Sequence, residues 1–218
     1  MNIKTSKNKI LLILSIPLVL LAICIGTSSG SSNISIFDTF SILANKFFSV
    51  PLIDGIDPKQ VTIIWNLRLP RVLLAFMVGG SLAASGAIVQ SVLKNQLASP
   101  YTLGLSSGAS LGVGIIIVTG VSIPFLGRLT MPIVGFTCSL VTMVIVLKFS
   151  QKVDKGFSNT TIILAGMVLS LFFSATLTTI SALASDKMQS ITMWSMGSFS
   201  MKGWSYVKAG LPFFIIGL

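Results

Sequence analysis

The chain of 218 residues is 53% hydrophobic and only 9% charged, and its mean hydropathy is +0.94. Soluble domains carry about 25% charged residues, so this composition excludes an ordinary soluble protein and predicts a membrane protein. The net charge of +10 comes from single Lys and Arg residues scattered around apolar segments. A nucleic-acid-binding surface would gather such residues into a stripe, so we expect no nucleic-acid partner.

Six apolar segments approach or reach the length that crosses a bilayer, which is about 20 helical residues. Because unpaired backbone groups are costly in lipid, each segment should be a helix, and we expect an all-α transmembrane bundle forming a single domain over residues 1–218. The predicted spans are residues 10–26, 72–93, 103–121, 131–149, 160–183 and 207–218. The sixth segment is still apolar at Leu218, which indicates a fragment of a longer protein.

The N-terminal segment follows a basic stretch, as the apolar part of a cleavable signal peptide also does. Its length and the spans that follow favour a retained helix. Lys and Arg accumulate in short cytoplasmic loops, so the lysines predict a multi-pass protein of the cell membrane with a cytoplasmic N-terminus. The lysines used are Lys4, Lys7, Lys9, Lys94, Lys148, Lys152 and Lys155.

Two stretches on the predicted outer side are too polar to span the membrane. In "SIFDTFSILANKFF", residues 35–48, apolar residues recur at helical spacing, which predicts an amphipathic helix lying along the membrane surface. Residues 184–204 are rich in Met, Ser, Gly and Trp. They are either an interfacial loop anchored by Trp194 and Trp204 or a docking or gating element.

Arg68 and Arg71 precede the second span, with Pro70 between them in the expected first helical turn. One interpretation is that both side chains extend to lipid headgroups. The other is that the pair binds an acidic protein surface, because guanidinium groups bind carboxylates through two hydrogen bonds.

The second span also carries small residues four positions apart, a pattern that lets helices approach closely in a membrane. The candidate packing residues are Gly79, Gly80, Ala83, Ala84 and Ala87. Gln90, near the end of this span, either bonds to another helix or lines a wet pathway.

The chain has few residues of the types that carry out catalysis: it contains no His, no Glu and five Asp in predicted loops. We therefore expect no catalytic residue, no metal site and no directly bound cofactor. The glycine-rich run from Gly104 to Gly114 lacks the Gly-Lys-Ser/Thr ending of a phosphate-binding loop, so it gives no basis for ATP hydrolysis. Cys24 and Cys138 lie in apolar runs and are expected to pack as small hydrophobic residues.

The segment Leu67 to Gly112 contains the runs "LRLPRVLLAFMVGG" and "QSVLKNQLASPYTLG". Together with "TTIILAGMVLSLFFSA" and the run from Trp194 to Phe199, it resembles the FecCD family, the membrane permeases of ABC importers for iron-siderophores, haem and cobalamin. The resemblance implies about ten helices per permease and a homo- or heterodimer of permease subunits. It also implies two cytoplasmic ATPase subunits, which use the ATP, and an extracytoplasmic binding protein.

By the same resemblance, Arg68 and Arg71 would dock the binding protein. The cytoplasmic gate would be formed by Asn95, Leu97, Ser158 and Asn159. The family pattern at the first gate is Asn-Pro-Leu-Ala, whereas this chain has Gln96 in place of the proline, which predicts a more flexible turn.

The predicted function is thus the permease subunit of an ATP-driven importer of a ferric siderophore, haem or cobalamin, and not an enzyme. Two alternatives stay open. One is a secondary transporter or channel that works without ATP, although such proteins commonly keep ionisable residues inside the membrane. The other is a truncated product that inserts but does not transport.

Overall fold

The computed structural model describes the backbone of residues 3–30, 32, 34–53, 55–121, 123–156 and 158–217, and their side chains except those of residues 3–12 and 128. Within these ranges every regular element is a helix, so the predicted all-α class is confirmed. Lys4, Lys7 and Lys9, which contribute to the predicted orientation, lie outside the described side chains.

The helices overlap all six predicted spans. In chain order they are α1 (Ile3–Ser28), α2 (Ile36–Phe48), α3 (Pro58–Thr62), a π-helical turn (Ile63–Arg68), α4 (Leu69–Leu93), α5 (Leu105–Thr119), a 3₁₀ turn (Gly127–Leu129), α6 (Thr130–Val153), α7 (Asn159–Leu183), α8 (Met188–Met196) and α9 (Trp204–Gly217). The predicted spans correspond to α1, α4, α5, α6, α7 and α9, while Leu218 lies outside the described residues.

Three continuous helical stretches in these ranges are long and apolar enough to cross a membrane: Pro58–Leu93, Thr130–Val153 and Asn159–Leu183. The first has 36 residues. It is longer than the hydrocarbon core, which about 20 residues cross, so part of it extends beyond the core. Ile13–Ser28 and Leu105–Thr119 are apolar but shorter. The chain is a multi-pass membrane protein.

The described residues form two compact units, residues 1–81 with 199–218, and residues 82–198. The first unit contains α1, α2, α3, the π-helical turn, the first half of α4, and α9. Its apolar core joins Ile42 and Leu43 of α2 to Ile64 and Leu69 at the start of the long helix. A second cluster packs the first half of α4 against Val207 of α9.

A proline inside the long helix explains the π-helical turn. Pro70 has no N–H to donate, and in an α-helix its ring would clash with the carbonyl four residues earlier. Here the helix widens, and the Leu69 N–H bonds to the Ile64 carbonyl. In that register the carbonyl of Trp65 faces residue 70, which offers no donor. The indole N–H of Trp204 takes the vacant place and donates to the Trp65 carbonyl at 2.9 Å.

The helix α2 lies where the sequence predicts an amphipathic helix. The Ser35 hydroxyl caps it by accepting the Phe37 N–H at 3.2 Å, and Ser49 ends it in the left-handed conformation, with φ 56°. Ile42 and Leu43 are buried in the core of the first unit, whereas Phe37 is 81% exposed. The exposed aromatic face suits an apolar surrounding, and the position of α2 along the membrane surface stays a prediction.

The second unit contains the second half of α4 with α5, α6, α7 and α8. Glycines let α5 approach its neighbours: Gly108 lies against Thr142 and Gly112 lies against Cys138, both of α6. Without a hydrophobic driving force between helices in lipid, such close backbone approach stabilises their packing. The single-domain organisation predicted from the sequence stays a prediction, and each unit is described by itself.

Candidate functional site

Arg68 is buried, with 8% of its surface exposed. Its Nη1 donates to the carbonyls of Ser28 at 2.6 Å and Thr27 at 3.4 Å, and its Nη2 donates to the carbonyl of Ser32 at 2.8 Å. The first two carbonyls belong to the last turn of α1, where helix carbonyls lack an intrahelical donor and attract positive charge. The guanidinium is thus bound to the backbone of its own chain.

Arg68 and Arg71 differ in exposure. The two residues lie three positions apart in the helix, yet only Arg71 is exposed. The reason is that the Arg68 guanidinium donates to the carbonyls of Thr27 and Ser28 at the end of α1 and to the carbonyl of Ser32 beyond it. The docking role of the pair stays a prediction, and Arg71 supplies its exposed charge.

The five small residues of α4 differ in their surroundings. A Cβ added to Gly80 would lie 3.2 Å from Phe214 of α9, so Gly80 is in close contact with that helix. Among the described residues, no atom beyond the adjoining backbone of α4 lies within 4 Å of a Cβ added to Gly79. Ala83 and Ala87 are exposed, and Ala84 is half-buried. Helix packing through Gly79, Ala83, Ala84 and Ala87 stays a prediction.

Gln90 is exposed near the end of α4. Its side-chain Nε2 donates to the carbonyl of Gln96 at 3.1 Å, within the turn that follows. The hydrogen-bond partner of the Gln90 side chain therefore lies in the turn directly after α4 and not on another helix. Whether Gln90 faces a pathway stays a prediction.

The turn between α4 and α5 holds the first predicted gate, and several local hydrogen bonds order it. The Asn95 side chain accepts the N–H of Leu97 at 2.8 Å. Ser99 and Thr102 bond reciprocally, since the N–H of Ser99 donates to Thr102 Oγ1 at 2.9 Å and the N–H of Thr102 donates to Ser99 Oγ at 3.1 Å. Leu97 is 82% exposed in this turn, and its role in a gate stays a prediction.

The same turn packs directly against α7, the helix that begins at the second predicted gate. Ala98 and Leu103 form a buried cluster with Ile162 and Ile163 of α7. Gly166 allows the closest approach, because a Cβ there would lie 2.7 Å from the Leu103 Cα. The structure therefore brings the two predicted gate segments into one packed region of the second unit.

The second predicted gate begins α7. Ser158 is the N-cap, and its hydroxyl accepts the N–H of Thr161 at 3.3 Å. Asp154, in the turn before it, accepts the N–H of Ser158 at 3.0 Å and the N–H of Gly156 at 2.8 Å. Hydrogen bonds from the side chain and the backbone of Ser158 are the main cause that lowers the pKa of Asp154 from 3.8 to about 2.

A groove of about 590 Å³ lies in the second unit between α5, α7 and α8. Its lining combines hydroxyl groups with apolar side chains, and no Asp, Lys or Arg lines it among the described residues. The serines of the lining are Ser106, Ser107, Ser110, Ser170, Ser174 and Ser195. Such hydroxyls offer weak, exchangeable hydrogen bonds and no fixed charge.

Sequence reasoning missed three features of these sites. The sequence analysis places Asp154 only among the loop carboxylates, although its spacing to Ser158 is typical of side chains that organise a turn before a helix. Gly104, Gly108 and Gly112 recur every four residues and could have predicted the close packing of α5. The bond between Trp204 and the Trp65 carbonyl had no local sequence signal.

Comparison with known proteins places these features in a family. The model of the FecCD transport family matches residues 18–218. The ABC transporter permease YvrB of Bacillus subtilis is 42% identical over 196 residues, covering 90% of this chain and 55% of the relative. The molybdate import permease MolB of Haemophilus influenzae is 34% identical over 91% of the chain and 56% of the relative. The hemin transport permease HmuU of Yersinia pestis is 39% identical over 71% of the chain and 48% of the relative.

A solved structure shares the fold. It is described as an inward-facing conformation of a metal-chelate type ABC transporter, and it matches with a TM-score of 0.73 and 30% identity over 96% of this chain and 59% of the other. The chain spans about half the length of the curated relatives it matches. The match over nearly all of its residues shows that the chain belongs to the FecCD transport family.

Proposed function

We propose that the complete protein is the permease subunit of an ATP-binding cassette importer that carries a metal chelate, namely an iron-siderophore, haem or cobalamin. Two permease subunits, identical or different, form the pathway. An extracytoplasmic binding protein delivers the cargo, and two separate cytoplasmic ATPase subunits hydrolyse ATP. The N-terminus is cytoplasmic, and the permease binds no cofactor.

The groove beside α5 and α7 is the observation that carries this proposal. A volume of about 590 Å³ lies in the range of small-molecule sites. Its lining of hydroxyls and apolar side chains lacks the fixed charges that ion coupling or catalysis would use. A passage of this kind suits cargo that is handed over by a binding protein and released again, because no group in it binds tightly.

Uptake by cells tests the proposal. A strain deleted for the gene is complemented with the full-length gene, and its partner subunits stay in place. Uptake of radiolabelled ferric siderophores, haem, cobalamin and molybdate is then measured with and without ATP depletion. We expect uptake of one metal chelate that stops when ATP is depleted and continues when a protonophore collapses the proton gradient.

Three results would contradict it. Uptake that survives ATP depletion but not the protonophore indicates a secondary transporter. Restored uptake of molybdate alone assigns a different cargo, and no uptake despite protein in the membrane rejects the import function.

Two substitutions on α7 test the groove itself. Ser174→Leu fills part of the lining and should lower uptake about tenfold, whereas Thr178→Leu changes an exposed residue outside the lining on the same helix and should leave uptake within about twofold. Equal uptake by the two variants would remove the groove from the pathway.

A further inference from the structure

We propose that Asp154 positions the predicted cytoplasmic gate, because its carboxylate fixes the start of α7, where Ser158 and Asn159 lie. The inference rests on the proposed transport function, since transport is what makes the position of a gate visible as activity. Asp154 acts through the residues around it and is thus a positioning residue.

The carboxylate joins the end of one helix to the start of the next. The backbone N–H of Asp154 still donates to Ser150 in the last turn of α6, at 2.9 Å. Its side chain belongs to α7: Oδ2 accepts the N–H of Ser158 at 3.0 Å and the hydroxyl of Thr161 at 3.2 Å, while Oδ1 accepts the N–H of Gly156 at 2.8 Å. Asp154 therefore joins the last turn of α6, through its backbone, to the first turn of α7, through its side chain.

The hydroxyls of Ser158 and Thr161 complete the arrangement, lying 2.8 Å apart beside the carboxylate. A negative charge at this place is also favoured by the positive end of the α7 dipole. Asp154 is ionised at physiological pH, and hydrogen bonds to the charged form lower its pKa further. The N-cap of α7 is therefore held by a permanent charge.

The lysines around Asp154 do not neutralise it. Lys148, Lys152 and Lys155 are exposed, and in the described part of the chain none of them forms an ion pair with Asp154. The carboxylate accepts hydrogen bonds from backbone N–H groups and from hydroxyl groups. The charge is thus used to hold the turn and is not cancelled by a neighbouring cation.

Packing carries the position of α7 to the other gate segment. Ile162 and Ile163, one turn after Ser158, pack on Ala98 and Leu103 in the turn between α4 and α5. Because interiors are close-packed, a shift at the start of α7 must move that turn as well. Asp154 thereby sets the relative position of both predicted gate segments.

The test uses the full-length permease with its ATPase and binding protein in proteoliposomes. Asp154→Asn keeps the size of the side chain but has only one acceptor oxygen for three donors. We expect the cargo transported per ATP hydrolysed to fall about tenfold, because hydrogen bonds to a charged group are strong. The KM for the loaded binding protein should stay within about twofold, since the docking surface is unchanged.

Asp186→Asn is the matched control, because it removes a carboxylate from another exposed loop where the ion pair is with the adjacent Lys187 at 3.6 Å. It should leave transport per ATP unchanged. Hydrogen exchange gives a readout that needs no transport: Asp154→Asn should speed exchange both in residues 154–163 and in residues 95–104. A local structural role would change the first segment alone.

Each result decides the inference. Transport by the wild type with an unchanged ratio in Asp154→Asn overturns it, and so does faster exchange confined to residues 154–163. If the wild type transports none of the cargoes, the proposed function fails, and exchange in residues 95–104 still decides whether Asp154 positions both turns. If Asp154→Asn does not fold, Thr161→Val removes one partner and should lower the ratio about threefold; an unchanged ratio then overturns the inference.

Discussion

Nη1 of Arg68 lies 2.6 Å from the carbonyl oxygen of Ser28, the last residue of α1. The two residues are 40 positions apart, so the bond ties the end of the first helix to the π-helical turn that precedes α4. Arginine here replaces the glycine-based or water-mediated capping that commonly satisfies the last carbonyls of a helix.

Replacing Arg68 by Met should destabilise the protein, because the carbonyls of Thr27, Ser28 and Ser32 would lose their donor. We expect a loss of about 2 to 4 kcal/mol in the free energy of unfolding. Thermal unfolding of the purified protein in detergent measures it. Arg71→Met, which changes an exposed side chain, should cost less than about 0.5 kcal/mol. Equal losses for the two variants would contradict the capping role.

Arg71→Glu should weaken docking of the binding protein while leaving the permease folded. Charges at the rim of an interface act mainly on the association rate, so this rate should fall about tenfold at low ionic strength and less in high salt. Association is measured with the permease immobilised in nanodiscs. Lys59→Glu makes the same charge change at another exposed position and serves as control. If Arg71→Glu leaves the association rate unchanged at low salt, the docking prediction is wrong.

Gly166→Ala should be poorly tolerated. The added Cβ would lie 2.7 Å from the Leu103 Cα and 2.8 Å from the Thr102 carbonyl oxygen, and backbone atoms cannot move away cheaply. We expect a loss of about 2 to 3 kcal/mol in thermal unfolding. Gly86→Ala is also in a helix, and in the described part of the chain its Cβ would meet no atom within 4 Å beyond the adjoining helix backbone. This substitution should be neutral or slightly stabilising. Unfolding temperatures that match between the two variants would show that α7 lies farther from the turn.

Trp204→Phe keeps an aromatic ring but removes the N–H that bonds to the Trp65 carbonyl. The expected loss is about 1 to 2 kcal/mol, because a carbonyl inside the helix is left without a donor. In a Pro70→Ala background the helix regains an N–H at position 70, so the same Trp204 substitution should cost less. Unfolding of the two single variants and the double variant forms a cycle that measures the coupling. Strict additivity would mean that the proline does not create the vacancy.

The contribution of Asp154 to stability should be constant from about pH 4 upward. Its pKa is lowered from 3.8 to about 2 in the folded protein, so the ionised form is stabilised by folding. The stabilisation is therefore complete above the ordinary pKa and is lost only as the pH falls through about 2. The difference in unfolding temperature between wild type and Asp154→Asn should be flat between pH 5 and 8. A difference that titrates within this range would mean that another group sets the turn.

Much of the fold could be predicted from the sequence, because the length of an apolar run is enough to predict a membrane-spanning helix. All six predicted segments are helical, and the amphipathic α2 lies where its periodicity indicates. The gate role of the turns that contain Asn95 and Ser158 rests on a resemblance of motifs and stays a prediction. The structure shows that the first turn packs on the start of α7.

The positions that could not be predicted depend on contacts between distant parts of the chain. From the sequence, an arginine beside a membrane span can be either an exposed charge or a buried helix cap. The positions of the Thr27, Ser28 and Ser32 carbonyls, far from Arg68 in the sequence, decide between the two. The sequence analysis predicts close helix packing through the small residues of α4. In the second unit, close packing is made by glycines of α5, which lie against side chains of α6. Pro70 was expected in a first helical turn, but the helix begins at Pro58 and absorbs the proline through a π-helical turn.

The vacancy at Trp65 also fixes an order of events during synthesis. Its donor, Trp204, lies 139 residues later in the chain. At about 5 to 20 residues per second, a ribosome synthesises Trp204 roughly 7 to 28 s after it has synthesised Trp65. During this interval the Trp65 carbonyl lacks the donor that it has in the folded structure, so the long helix reaches its final hydrogen bonding only after α9 is made.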